Sequence, residues 1–489
     1  MRKHKNRTFI LISIILGMFL SAIEATIVAT AMPSIVKDLG DFKLYSWVFS
    51  SYLLSSSATI LLFGKLADVY GRKPIYIFGT IVFLSGSTLA GFSHSMFLLV
   101  VARFIQGVGA GALIPMTTTI VGDIYTKEER AKIQGYLSAV WGISAILGPL
   151  IGAFFVEWLD WRYVFWMNIP LGLLSLTGIV IFFKENIEKS KQQLDIVGML
   201  LFIASITVVI YILVEGGISI RWNSPFMYVL IGIVIVAFSL FLMTERRTDH
   251  PMLPPSLWSY RLIRYANITS ILTGVILISV SSYLPVFVQV VMEQSALIAG
   301  FTLTTMSIGW PIASTIAGRL LLKIGYRTTS LIGGIFLIVG AIFFIILPTL
   351  QQTYLAAIGS FFIGVGMGMT STAFIVAIQT TVKWEIRGIA TATNMFMRTI
   401  GSALGAALLG GVLNNQIMRN IEAAQLEDVI SIQSIDLLLA QNDTQTLTST
   451  SIAVLKEGLI TGLEYVYIGM GIIAIASFIF IIFIPKKSA

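Results

Sequence analysis

Glu24 is the one acidic residue that falls deep inside an apolar run of this 489-residue chain, fifteen residues into a stretch from Phe9 to about Ile35. On a helix that is about 22 Å from the start of the run. An ionised side chain at such depth costs at least about 2.5 kcal/mol even on lenient insertion scales, so an acid there is a functional candidate by default. Its carboxyl can hold a proton or a cation, and the two compete for it; the alternative is a carboxyl that only bonds a neighbouring helix. Two cations, Arg103 and Arg398, also fall inside apolar runs. Arg103 comes out at a depth similar to that of Glu24, where it needs a partner and could relay the state of the acid, or else bind backbone carbonyls. For Arg398 a site role and helix packing stay open.

Trp141 and Trp310 also lie deep. With Tyr52, Gln106, Tyr283, Asn394, Met306 and Met395 they could line a promiscuous cavity, since aromatic faces attract cations and thioethers repack around varied shapes. Helix packing is the alternative for each. Trp158, Trp161, Trp222, Trp258 and Trp384 fall near the ends of apolar runs and read as interfacial belt residues.

Other chemistry is excluded by composition. There is no cysteine, and the three histidines, His4, His94 and His250, fall in or beside short loops. No thiolate catalysis, no metal-ligand pair and no Ser/His/Asp arrangement is available, so neither enzyme, cofactor nor metal is expected. The formal charge of +8 comes from Lys and Arg that are spread rather than clustered, which argues against nucleic acid.

The elements that carry these residues are membrane helices. The chain is 56% hydrophobic and 11% charged, against about 25% charged in soluble proteins. Runs long enough to cross a bilayer fall near 9–35, 46–64, 75–93, 97–122, 134–156, 163–183, 195–215, 226–244, 265–290, 297–320, 329–348, 353–379, 389–413 and 463–484, fourteen in all. The basic start MRKHKNR is like a signal peptide, but the apolar run continues too far and reads as a retained first helix. Of the Lys and Arg outside the spans, 24 fall on the side of both termini and 6 on the other. By the positive-inside rule both termini are cytoplasmic, in a multi-pass protein of the cytoplasmic (inner) cell membrane.

The two halves repeat. Gly107-Val108-Gly109-Ala110-Gly111 recurs as Gly364-Val365-Gly366-Met367-Gly368, and Arg130 as Arg387, both 257 residues on. Gly64-Lys65-Leu66 with Gly71 recurs as Gly318-Arg319-Leu320 with Gly325. The expected organisation is a six-helix bundle over 1–190, a two-helix insert over 191–250 and a second six-helix bundle over 251–489, with a solvated outer loop at about 414–461. Parallel six-helix repeats are the plan of a secondary transporter, with its site between the halves near the midplane.

Gly64-Lys65-Leu66-Ala67-Asp68-Val69-Tyr70-Gly71-Arg72-Lys73-Pro74 resembles, position by position, the signature loop of the major facilitator superfamily. Gly142 followed by Gly148-Pro149-Leu150-Ile151-Gly152 resembles that family's antiporter motif. Asp160-Trp161-Arg162-Tyr163 through Asn168, Leu194-Asp195 and His250-Pro251-Met252-Leu253-Pro254 extend the likeness to the drug:proton antiporter branch with fourteen helices. Glu24 through Pro33 is similar to the branch's first-span motif, with glutamate where many members have aspartate and Ala29 in place of a frequent asparagine. The resemblance implies the major facilitator fold and proton-coupled efflux of small amphiphilic, often cationic, drugs by alternating access, by a monomer. Export of an endogenous amphiphile such as a lipid or bile-like compound, or a sensor without transport, are the alternatives. Asp68 with Arg72 and Lys73, and Asp123 with Arg130, would form a charged latch between states, or merely a basic turn. Leu322 replaces the Asp68 equivalent in the second half, so the latch is one-sided.

Overall fold

The computed structural model describes residues 2–40, 44–185, 195–216, 220, 223–248, 251, 256–294, 296–424 and 449–486. Among these the chain is all helical, with no β-strand. The N-terminal part comprises α1 (Arg2–Leu39), α2 (Tyr45–Tyr70), α3 (Arg72–Gly91), α4 (Met96–Ile124), α5 (Lys127–Trp158), the short α6 (Tyr163–Trp166) and α7 (Asn168–Phe182). Next come α8 (Ile196–Glu215) and α9 (Pro225–Arg247). The rest is the short α10 (Ser256–Ser259), α11 (Arg261–Val286), α12 (Ala296–Leu350), α13 (Thr353–Thr381), α14 (Arg387–Ala423) and α15 (Ser449–Ile482). Polar caps start several spans: Ser95 Oγ accepts from Leu98 N, Thr126 and Glu129 form a capping box, and Ser224 precedes Pro225 at the first position of α9.

Twelve helices among the described residues are long and apolar enough to cross a membrane, not fourteen. The difference arises in two places. Helix α12 holds two expected runs in one element of 55 residues, broken by a non-helical residue at Gly325. Helix α8 contributes only the shorter apolar stretch Val197–Val209.

The repeat seen in the sequence is also a repeat of packing. A Cβ on Gly107 would stand 2.4 Å from the Tyr52 carbonyl oxygen in α2, and one on Gly364 would stand 2.3 Å from that of Met306 in α12. Gly109 faces the Gly79 carbonyl in α3 at 2.7 Å, and Gly366 faces that of Gly333 at 2.8 Å. Gly111 and Gly368 complete the series against Ser56 and Trp310. Backbones this close admit no side chain. Each short turn between the paired spans is made by a glycine with positive φ, Gly71 at 98° and Gly325 at 80°, a region that L-residues rarely adopt.

Both ends of the described chain lie on one face. Tyr125 Oη donates to the Arg7 carbonyl at 2.8 Å, Arg327 Nη2 to that of Ile482 at 2.7 Å, and the α4 end meets the α14 start. This is the terminal face. Helix α8 packs on α9 and against α2 and α14, with the Phe202 ring 5.3 Å from Phe241 and 5.5 Å from Phe396.

Candidate functional site

Glu24 is completely buried in α1 and is held from two sides. Arg103 Nη1, from α4, approaches its Oε1 at 2.6 Å, and Asn168 Nδ2, at the start of α7, donates to Oε2 at 2.7 Å. The guanidinium is itself positioned. Its Nη1 also donates to Gln106 Oε1 at 2.7 Å, its Nε donates to the Val48 carbonyl at 3.1 Å, and its plane lies 4.2 Å over the Tyr52 ring. Ser87 Oγ in α3 accepts from Asn168 Nδ2 at 2.9 Å and from Gln106 Nε2 at 3.3 Å. Five helices thus converge on one ion pair. A buried pair of this kind loses much of its Coulomb gain to desolvation, and the surrounding donors and acceptors offset that. Asn168 Oδ1 is buried with no hydrogen-bond partner among the described residues.

The sequence matches Arg103 to Glu24 by depth but assigns Gln106 and Tyr52 to the cavity lining, whereas the structure brings both to the ion pair. Asn168 and Ser87 were missed as members of the cluster, although Asn168 stood in one of the matching motifs.

A cavity of about 670 Å³ opens between the two parts of the chain. Of the residues expected there, Trp141, Met306, Trp310, Met395 and Arg398 line it. Glu24, Tyr52, Gln106, Tyr283 and Asn394 are not among its lining residues. Tyr283 Oη donates to the Ala406 carbonyl at 3.0 Å, and Asn394 Nδ2 donates to Asn267 Oδ1 at 3.0 Å and to Ser270 Oγ at 2.9 Å. The carboxylate expected to meet a cationic ligand therefore lies outside the cavity, and the charge inside it is Arg398. The two are linked through α2, in which Tyr52, beneath Arg103, is followed by the lining residue Leu53.

The terminal face is closed by a charged cluster. Arg72 bonds Asp68 at 2.8 Å and Asp123 at 3.0 Å, donates to the Trp384 carbonyl at 2.9 Å, and stacks 4.1 Å over the Trp384 ring. The Asp68 carboxylate accepts the backbone N–H groups of Gly388 and Ile389, at 2.9 and 2.8 Å, in the first turn of α14. A carboxylate at a helix N-terminus meets free N–H groups and the positive end of the dipole. Gly64 permits this approach, since a Cβ there would lie 2.5 Å from Ala392 Cβ. The expected Asp123–Arg130 pair is not formed. Arg130 Nε donates to the Tyr125 carbonyl at 2.7 Å, and Asp123 takes Arg387, the repeat equivalent of Arg130, at 2.6 Å. The Lys73 ammonium donates to the Val180 carbonyl, so it also stands outside the cluster.

Gly148 and Gly152 set α5 against α1: a Cβ on Gly148 would meet Thr26 Oγ1 at 2.0 Å, and one on Gly152 would meet the Ile27 carbonyl at 3.0 Å. The side chain of Pro149 lies outside the described ones, as do Trp222, His250 and half of the expected loop, 425–448; the flanking parts of that loop are not loop but the end of α14, to Ala423, and the start of α15, from Ser449. On the face away from the termini Trp161 is buried rather than in a belt; its indole N–H and Arg162 both bond Asp38 Oδ2 at 3.0 Å. The indole bond, ahead of the Arg162 charge, holds the Asp38 carboxyl below the usual carboxylate range.

The family model described as Major Facilitator Superfamily matches residues 14–406. Multidrug resistance protein 3 of Bacillus subtilis (strain 168) is 36% identical over 423 residues, covering 86% of this chain and 82% of the relative. The multidrug transporter protein MdtP of the same organism is 32% identical over 419 residues, 84% of this chain and 76% of the relative. Among solved structures the human organic anion transporter MFSD10 (TETRAN) aligns with a TM-score of 0.67 at 13% identity, over 97% of this chain and 99% of that one. The proton:xylose symporter XylE aligns at 0.63 and 14% identity, over 98% and 96%. At such identity the two structures speak for the fold alone.

Proposed function

The chain belongs to the major facilitator superfamily, and we propose that it is a multidrug efflux transporter that exchanges small amphiphilic compounds for protons by alternating access. The names of its relatives support multidrug efflux. The observation that carries the coupling is the buried Glu24–Arg103 pair, one residue along α2 from the wall of an amphiphile-sized cavity.

The cycle follows from what each group can hold. Ionised Glu24 binds Arg103 Nη1 and Asn168 Nδ2. A proton on Glu24 removes the charge that holds Arg103, which keeps Gln106 and the Val48 carbonyl, so the tie between α1 and α4 weakens. Because Arg103 rests on Tyr52 and Tyr52 adjoins Leu53, loss of the pair is felt at the cavity wall. Proton and drug thus act on one element from different positions rather than displacing each other from one atom. Asp68 and Asp123 act as the latch on the terminal face, which the positive-inside count places in the cytoplasm. In this reading the protein is a monomer of the cytoplasmic membrane, divided at 1–190, 191–250 and 251–489, with fourteen spans if α12 is counted as two about Gly325 and the shorter α8 as one. Gly148-Pro149 and Gly152 on α5 belong to the moving contact with α1.

The test uses purified protein in proteoliposomes with a pH gradient and a panel of cationic, neutral and anionic amphiphilic dyes. Dye-dependent proton movement that disappears in Glu24→Gln is the expected result. Flux unchanged in that variant would move coupling to another group, and no flux with any dye would remove the transport reading.

A further inference from the structure

Among the described residues the cavity lining carries one charge with no counter-charge beside it. That charge is Arg398, on α14, and no Asp or Glu joins it among the described lining residues. Its guanidinium makes no hydrogen bond or ion pair among the described residues, and its one marked neighbour is the Trp310 ring, 5.7 Å away. Arg398 lies eleven residues into α14, about 16 Å along the helix from its start on the terminal face. That is midway through the bilayer, where an unpaired arginine is expensive.

The carboxylates of the site are committed elsewhere. Glu24 is bound to Arg103 and Asn168 away from the cavity, and Asp68 and Asp123 are held in the terminal-face cluster. The position equivalent to Arg398 by the 257-residue repeat is Trp141, which also lines the cavity. The lining thus offers the flat aromatic faces of Trp141 and Trp310, the thioethers of Met306 and Met395, and one guanidinium, which lies 5.7 Å from the Trp310 ring. A guanidinium fork matches the two oxygens of a carboxylate, sulfonate or phosphate, and this match is strongest where water is scarce. The same charge repels a cation in a space whose other lining groups are neutral.

We propose that the preferred ligands of this cavity are anionic aromatic amphiphiles, or zwitterions entering by their anionic group, with the anion on Arg398 and the apolar body between Trp141 and Trp310. The assignment rests on the reading of this cavity as the substrate chamber, but it concerns binding and needs no proton gradient.

A matched set of probes tests it: 1-pyrenebutyrate, 1-pyrenebutylamine and 1-pyrenebutanol, which share one aromatic body and differ in charge. Binding to the purified full-length protein in detergent is read by energy transfer from tryptophan to pyrene. The butyrate is expected to bind about tenfold or more tighter than the amine, the range of a charge-assisted hydrogen bond. Arg398→Gln should remove that preference while keeping the affinity for the alcohol, and Arg398→Lys should restore part of it. Equal or tighter binding of the amine to the wild type, or a preference unchanged in Arg398→Gln, overturns the assignment. Should Arg398→Gln lose the alcohol as well, the wild-type preference decides. Competition separates two sources of anion: displacement of the butyrate by phosphatidylglycerol at levels where phosphatidylcholine has no effect identifies a lipid headgroup, and its absence a soluble anion. Because the probes bind without a gradient, failure of proton exchange in proteoliposomes leaves this result standing, and the reverse holds too.

Discussion

Arg72 and Arg387, more than three hundred residues apart in the chain, meet on the carboxylate of Asp123, Arg72 Nε at Oδ2 and Arg387 Nη1 at Oδ1. With Asp68 on the first turn of α14, they fasten α2, α3 and α4 to the second half at one end only. The cavity runs the other way: its lining includes Asn414, which lies about 40 Å along α14 from Arg387 at 1.5 Å per residue.

Loosening that fastening should close the far end in compensation. The chain has no cysteine, so Ala403→Cys on the cavity wall reports access cleanly to an impermeant maleimide. Added on the face away from the termini, the reagent should label Asp68→Asn and Gly64→Ala several-fold more slowly than the parent. A population shift of tenfold corresponds to about 1.4 kcal/mol, within reach of two lost charge-assisted bonds. Equal rates in all three proteins would mean that the cluster does not set the resting state.

Removing one partner of the Glu24–Arg103 pair leaves the other charge buried. Glu24→Gln and Arg103→Gln should each destabilise the protein by about 3–5 kcal/mol, and the double variant by less than the sum. Melting temperatures of the four proteins in one detergent give the comparison. Additive losses would show that the two residues stabilise the fold independently.

Asp38 carries a pH dependence that lies outside the spans. Its carboxyl is held below its ordinary range in the folded chain, first by the Trp161 indole and then by Arg162, so the bond contributes stability above the unfolded value, about 3.9. That contribution is lost as pH falls through the lowered folded value. Thermal melts of wild type and Asp38→Asn should therefore differ at neutral pH and converge below about pH 4. A gap that persists in acid would point to geometry rather than ionisation.

The fold and half of the site were legible because they rest on rare signals. A lone acid among apolar residues marks Glu24, a matching depth brings Arg103 to it, and glycines at a fixed offset reveal the repeat whose packing they later form. Ser87 gave no such signal, and Asn168 only its place in a motif that does not say what it faces, since small polar residues are common on membrane helices and only packing decides which of them meet. The pairing of Asp123 with Arg387 instead of Arg130 was hidden for a related reason. Nearness in sequence favoured Arg130, whose side chain turns back to the Tyr125 carbonyl, while the repeat delivered its counterpart from the other half. Trp161 looked interfacial from its place at a span end, but it is buried, with its indole N–H bonded to the exposed Asp38 carboxylate.

The glycines of α4 bear on which part of the ion pair travels. Gly107 and Gly111 key the helix into α2, against the Tyr52 and Ser56 carbonyls and the Ser55 and Thr59 hydroxyls, and Gly109 keys it into α3 against the backbone of Gly79 and Phe83. A helix locked on two sides cannot roll about its axis. Arg103 sits one turn before Gly107, so its Cα is a fixed post rather than a moving arm. When the Glu24 carboxyl gains its proton, the swing must come from the guanidinium or from α1 itself, whose tilt against the post would set the stroke of each turnover.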